Sequence, residues 1–380
     1  MSAELSAGSL SRSETAGAVR SARPTDAPRW LQSQARRAER VVIPLAALLV
    51  GLSVFSLFLL ALGKSPTQFY SLVFKAGFGT QFSWENTLSR TAPLLLSALC
   101  VALPARLGLV VIGGEGALVL GGLAAGAVGA AVSGTSGFTG IVSMALAGMF
   151  AGGLWIGAVG AMRHWRGVNE TIASLLMAYI AVALLNHFVE GPLRDPASLN
   201  KPSTAPIDAA HHLGTLPFLD VHYGLVIGVV ACVLAWIVLD KTRIGFAARV
   251  VGGNARAARI QALPVGSLTL GFTVAAGACA GLAGMIEVSA VHGSANGSLN
   301  AGYGYTGILI AFIAQHNPLA VIPVAVLLAA FEAASGLVQR RMALPDATVL
   351  VMQGMVFVAI LVSETFYGRF KVFSPERWRT

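Results

Sequence analysis

Charge is what this sequence has least of. Asp, Glu, Lys and Arg make up 11% of its 380 residues, while 55% are hydrophobic. Soluble domains carry roughly one quarter charged residues, so this composition excludes an ordinary globular protein. The apolar runs follow one another so closely that the chain reads as one integral membrane domain, not the two or three soluble domains its length would otherwise suggest. Cysteine is nearly absent as well. Cys100, Cys232 and Cys279 lie in apolar stretches and none has a CxxC partner, which argues against a disulfide framework or a cysteine metal site.

Signatures of catalysis are missing too. The one Gly-Lys-Ser, at residues 63–65, has Phe58 where a phosphate-binding loop would begin with Gly, so no nucleotide site of that kind is expected here. HExxH and GxSxG are absent, and neither a catalytic residue nor a bound metal or cofactor is expected. His211, His212 and His222 fall in a polar loop and read as solvated side chains. The net charge of +9 comes without the interleaved aromatics that a single-strand platform requires. Nucleic acid is therefore not an expected partner; membrane lipid is, because the basic residues flank apolar runs in the way that orients membrane spans.

What the chain does have is hydrophobic runs. They occupy residues 41–63, 91–132, 138–162, 171–189, 223–239, 265–288, 302–314, 319–337 and 349–366. The second is long enough for two spans, parted near Pro104 and Arg106, whereas 302–314 is too short for a complete crossing. The expectation is an all-α integral membrane protein of about ten transmembrane helices, within a range of eight to ten. Segment 302–314 is expected to be re-entrant or broken, and both termini to be cytoplasmic. Residues 1–40 read as a disordered basic tail, 41–366 as the membrane domain, and 367–380 as a short basic tail. Residues 64–90 read as a loop, and this arrangement leaves Arg340 and Arg341 outside. Residues 190–222, with five prolines and more acids than bases, are also placed outside.

Residues 240–264 interrupt two apolar runs with Lys241, Arg243, Arg249, Arg256 and Arg259 against Asp240. Each basic residue at mid-membrane would cost roughly 2.5–3.5 kcal/mol, so the segment belongs in the cytoplasm. Glycines recur at small-xxx-small spacing, at 122 and 126, 148 and 152, 153 and 157, 277 and 281, which predicts closely packed helices. Glu115, Glu170, Glu287 and Glu332 lie in or beside apolar runs, where a carboxylate must be paired or face water. Glu170, following Asn169, suits a helix start. The Gly-flanked Tyr303 and Tyr305 open the short segment, as a broken helix lining a cavity or as interfacial anchors.

Taken in order, several stretches resemble the permease subunits of bacterial ABC importers for simple sugars and nucleosides. RLGLVVIGGEGALVLGG, from Arg106 to Gly122, resembles the family's Asn-Ile-Gly-x-Glu-Gly-Gln segment. GVNETIASLLMAYIAVALLNHFVEGPLRDP, from Gly167 to Pro196, is similar to the Asn-Glu span and Gly-Pro-Leu-x-Asp-Pro loop of its nucleoside branch. Arg249, Gly252, Asn254, Ala257, Ala258 and Arg259 match the coupling segment, and AGACAGLAG and GYGYTGILIAFIAQHNPLA continue the order. The family's amides are replaced by Val111, Ala117 and Ala178, and Gly253 and Ala255 stand where Glu and Pro are frequent.

The resemblance implies a multi-pass permease of the bacterial cytoplasmic (inner) membrane, importing a nucleoside or related sugar-containing solute. Its partners would be ABC ATPase subunits carrying ATP and Mg, a second permease in a heterodimer or homodimer, and an extracytoplasmic solute-binding protein. Arg249, Gly252, Asn254, Arg256, Ala257, Ala258 and Arg259 would couple to the ATPase, with Ala257 and Ala258 permitting close approach. Gly113, Glu115, Asn169, Glu170, Tyr179, Asn186, Glu287, Tyr303 and Tyr305 are the candidates for the solute path. Alternative readings are a proton-coupled secondary transporter using Glu115 or Glu287, and an ABC permease for simple sugars or branched-chain amino acids.

Overall fold

The computed structural model describes residues 29–345 and 347–365, and nearly all of its regular structure is helical. In chain order come α1 (Arg29–Ala61), α2 (Pro66–Phe78), α3 (Gln81–Ala105), α4 (Gly114–Ala131), α5 (Gly137–Arg166) and α6 (Glu170–Glu190). A long loop follows, with a small antiparallel hairpin of β1 (Thr215–Leu216) and β2 (Leu219–His222). Then come α7 (Gly224–Lys241), α8 (Arg243–Gly253), α9 (Ala255–Ile260), α10 (Val265–Ile286), α11 (Tyr303–Ile313), α12 (Pro318–Met342) and α13 (Ala347–Glu364). A π-helical turn, Glu287–His292, extends α10.

Among the described residues eight helices, α1, α3 to α7, α10 and α12, are long and apolar enough to cross a membrane. The chain is thus an all-α membrane protein at the lower edge of the expected range, with α13 as a further, shorter apolar helix. With 11 residues, α11 rises only about 16 Å, roughly half a bilayer core. Two boundaries differ from expectation. α1 already begins at Arg29, inside the segment read as a tail; residues 1–28 and 366–380 lie outside the described residues. Residues 64–90 are not a loop but α2 and the start of α3. The Ser65 side chain caps α2 with Pro66 in its first turn, and Thr80 caps α3 by accepting from the Ser83 amide, both standard helix starts.

The described residues divide into two units, Ala47–Leu361 and the flanking residues 29–46 and 362–365. Everything functional described below lies in the first. Its axis is α3, in which residues 91–104 are all buried. Beside it, α4, α5 and α10 meet along glycines. A Cβ on Gly148 would stand 2.8 Å from the Gly281 carbonyl oxygen, and one on Gly152 would stand 2.8 Å from the Gly281 Cα. A Cβ on Gly277 would in turn collide with the Gly152 carbonyl. The small-xxx-small pairs 148/152 and 277/281 therefore face each other across one seam, the close backbone approach that helix association in lipid favours.

Between α3 and α4 the chain turns at Arg106–Gly108 and then runs without regular structure from Leu109 to Ile112. The Val110 carbonyl accepts from Thr171 Oγ1 at 2.8 Å, and the Ile112 amide donates to Ser174 Oγ at 3.1 Å, which ties this stretch to the first turns of α6. α4 consequently starts part-way along the bundle, as α11 does, and the two starts touch: a Cβ on Gly304 would collide with the Glu115 amide nitrogen.

Candidate functional site

The long loop between α6 and α7 is fastened over the end of α10. Thr204 and Ile207 donate their amides to the carbonyls of Ala295 and Gly293, each at 2.9 Å, and Ser289 Oγ donates to the His211 carbonyl at 2.9 Å. The hairpin roofs a cavity of about 550 Å³ lined by Asn86, Ser89 and Arg90 of α3, Asp220 and His222 of β2, Glu287 and His292 of the π turn, and Tyr303 of α11, among others. A second cavity of about 220 Å³ shares Arg90, Ala301 and Tyr303 and adds Glu332 and Ser335 of α12. The larger volume suits a small molecule, and polar walls suit a hydroxyl-bearing one.

Each wall residue is placed by local chemistry. Pro93 has no N–H, so the carbonyl four residues back, on Ser89, loses its helical donor. His222 Nε2 donates to that carbonyl at 3.2 Å. This bond selects the Nε2–H tautomer, and the buried Nδ1 has no protein partner. Burial holds the His222 imidazole below its usual pKa, with the Ser89 bond opposing, so it is the neutral ring that faces this site. Arg90 Nε donates to Asn86 Oδ1 at 3.4 Å, and Arg90 is the cation common to both cavities. Glu287, 3% exposed, lies 3.6 Å from His292 Nε2. The Glu332 carboxylate accepts from Thr306 Oγ1 at 2.9 Å.

Glu115 is fully buried. Its two carboxylate oxygens accept from the amides of Gly302 at 2.7 Å and Gly304 at 2.6 Å. The side chain of one broken helix start thus caps another, where a negative charge is favoured by the α11 dipole. Gly302 has φ +86°, a conformation glycine adopts without penalty. Gly113 packs against Ser174 just before Glu115. Glu115, Glu287 and Tyr303 are therefore gathered around one region, with Gly113 behind it.

The remaining path candidates lie elsewhere. Asn169 Oδ1 accepts from the amides of Thr171 and Ile172, capping α6, and Glu170 pairs with Arg163 Nε at 3.3 Å. Tyr179 is 62% exposed and Tyr305 41% exposed on the outside of the subunit, and Asn186 is also exposed. Val111, Ala117 and Ala178, which replace the family's amides, have no exposed surface and pack in the core. His211 and His222 are not solvated as expected: they are 0% and 6% exposed, and only His212 faces solvent. Arg90, Asn86 and Ser89 were missed because residues 64–90 read as a loop; the Ser65-Pro66 and Thr80 capping signals could have revealed the helices.

At the other end of α7 and α10, α8 and α9 form an elbow. Asn254 is its hinge: Oδ1 accepts from the amides of Arg256 at 3.0 Å and Ala257 at 3.1 Å. Ala248, Val251 and Ala258 turn inward and are buried, while Arg249, Arg256 and Arg259 are exposed and Ile260 is 87% exposed. Gly252 abuts the Arg106 carbonyl, where a Cβ would collide. Ala258 thus holds the elbow to its own subunit, and Ala257 is half-buried.

The model of the branched-chain amino acid transport system permease component matches residues 83–361. A glucose ABC transporter permease protein of Haloferax volcanii is 32% identical over 87% of this chain and 89% of its own. A guanosine ABC transporter permease protein of Bacillus subtilis is 29% identical over 77% and 85%. A nucleoside ABC transporter permease protein of Lactococcus lactis is 24% identical over 78% and 84%. The chain therefore belongs to the branched-chain-amino-acid-type family of ABC transporter permeases, multi-pass membrane proteins that work with ATPase and binding-protein partners.

Proposed function

We propose that this permease imports a nucleoside or related sugar-containing solute, and that the elbow of α8 and α9 is where ATP hydrolysis on a separate ATPase subunit drives it. The observation that carries the coupling role is the two-sided elbow. Its inner face is anchored by Gly252, Val251 and Ala258, and its outer face presents Arg249, Arg256, Arg259 and a bare Ile260. A large apolar residue left open among arginines is the composition of a protein contact. The excess of Lys and Arg in the basic loop supports a cytoplasmic position for this end, with the hairpin and the cavity on the opposite side, where an extracytoplasmic binding protein would deliver solute.

The solute class rests on the names of the glucose, guanosine and nucleoside relatives and on a cavity walled by hydrogen-bonding side chains. ATP and Mg would be bound by the partner ATPase. Tyr179, Asn186 and Tyr305, exposed on the outer surface, are available to a second permease, identical or different. Arg259→Glu tests the coupling surface. Uptake should fall about tenfold or more, as reversal of a contact charge predicts, with the protein still in the membrane. Unchanged uptake would overturn the assignment.

A further inference from the structure

One short stretch of chain runs from the elbow towards the cavity. Gly252 of the elbow lies against the backbone of Arg106 and Leu107, with a Cβ at position 252 placed 3.2 Å from the Leu107 carbonyl carbon. Gly108, at φ +75°, lies against Gly252 in return. From this turn residues 109–112 run on outside any regular structure, tied to α6 through Thr171 and Ser174, and lead to Glu115 in the first turn of α4. Its carboxylate holds the amides on either side of Tyr303, whose side chain lines both cavities.

We propose that residues 107–113 transmit movement of the α8–α9 elbow to the cavity, and that Glu115 is the positioning residue through which the transmission reaches α11. This rests on the ABC-permease reading above. Residues 109–112 make no helical bonds among themselves to absorb a displacement, so a shift imposed at the preceding turn, where Arg106 and Leu107 meet Gly252, is passed along the backbone. At its far end two charge-assisted hydrogen bonds grip α11 at a point where α4 and α11 both begin. There a small rotation changes the course of a broken helix instead of bending a continuous one. Tyr303 is thereby moved relative to Arg90, which opens or closes the cavity. Glu115 itself does not need to touch solute.

The experiment uses the complex purified through this chain, in vesicles, with Ala301→Cys as reporter because Ala301 borders both cavities. A membrane-impermeant maleimide is added with no nucleotide and with ATP plus vanadate, against the parent lacking the new cysteine. With Glu115 intact, the labelling rate should change about threefold or more between the two conditions, as expected of a two-state shift. In Glu115→Gln, which keeps the shape but brings an amide group against an N–H, the nucleotide response should vanish while the cysteine remains reactive. A response in Glu115→Gln equal to that of the unmodified permease overturns the proposal. If Glu115→Gln fails to insert, Gly252→Ala decides from the other end: a lost response supports the route and a retained one overturns it. Absence of any nucleotide response with Glu115 intact would instead count against the ABC-permease reading.

Discussion

Removing the His222 imidazole orphans the Ser89 carbonyl that Pro93 leaves without a helical donor. A buried acceptor left unpaired costs about 1–3 kcal/mol, so His222→Phe should lower thermal stability in detergent by that order. Pro93→Ala supplies the missing amide, and the double variant should recover part of the loss, a non-additivity expected of residues sharing one partner. Strictly additive effects would show that the bond contributes nothing. Glu115 follows the same logic with higher stakes, since both of its oxygens are engaged by backbone amides. Its partners lie 187 and 189 residues away in sequence, which is why the chain identifies an expensive carboxylate at 115 but not what satisfies it. The need for a donor at Ser89 was hidden in the same way, because residues 64–90 read as a loop, and a histidine in a loop gave no sign of supplying one.

Among the helices, the glycine seam of α4, α5 and α10 makes the sharpest prediction. Gly281 admits no Cβ, because that atom would meet the Gly148 carbonyl, whereas Gly271 on the same helix faces open space. Gly281→Val should therefore destabilise the purified protein by about 1–3 kcal/mol, the usual cost of overpacking, and Gly271→Ala should leave the melting temperature unchanged. Equal melting temperatures for the two would refute the seam. These spacings were readable in advance because helical periodicity is local. So were nearly all the spans, because hydrophobic runs of bilayer length have few other uses. What the spacing of apolar residues could not convey was depth. That α4 starts part-way along the bundle follows from the irregular run at residues 109–112 and its bonds to α6, and α2 was hidden by its modest length and polar flanks.

At the scale of the Ala47–Leu361 unit, α3 lies at the centre, a polar cavity opens at one end and a basic elbow stands at the other. The spread of charge sorts the two ends. Arg106, Arg163, Arg166, Lys241, Arg243, Arg249, Arg256 and Arg259 share the elbow's end with Asp240 and Glu170. At the roofed end, Glu85, Glu190, Asp195, Asp208 and Asp220 stand beside Lys64, Arg90, Arg194, Lys201, Arg340 and Arg341, so bases outnumber acids far less there. That asymmetry follows the bias that keeps Lys and Arg on the cytoplasmic side. The family and its mode of action were legible from five motifs in order; the cavity was not, because its walls come from α3, the hairpin, the π turn, α11 and α12. Membership of the ABC permease family implies that solute movement through this subunit is powered by ATP and not by an ion gradient. The most direct test is uptake, by vesicles containing the complex and its binding protein, of the solute that the binding protein retains on purification. Accumulation should require hydrolysable ATP and be indifferent to collapse of the proton gradient; accumulation driven by a proton gradient without ATP would contradict it.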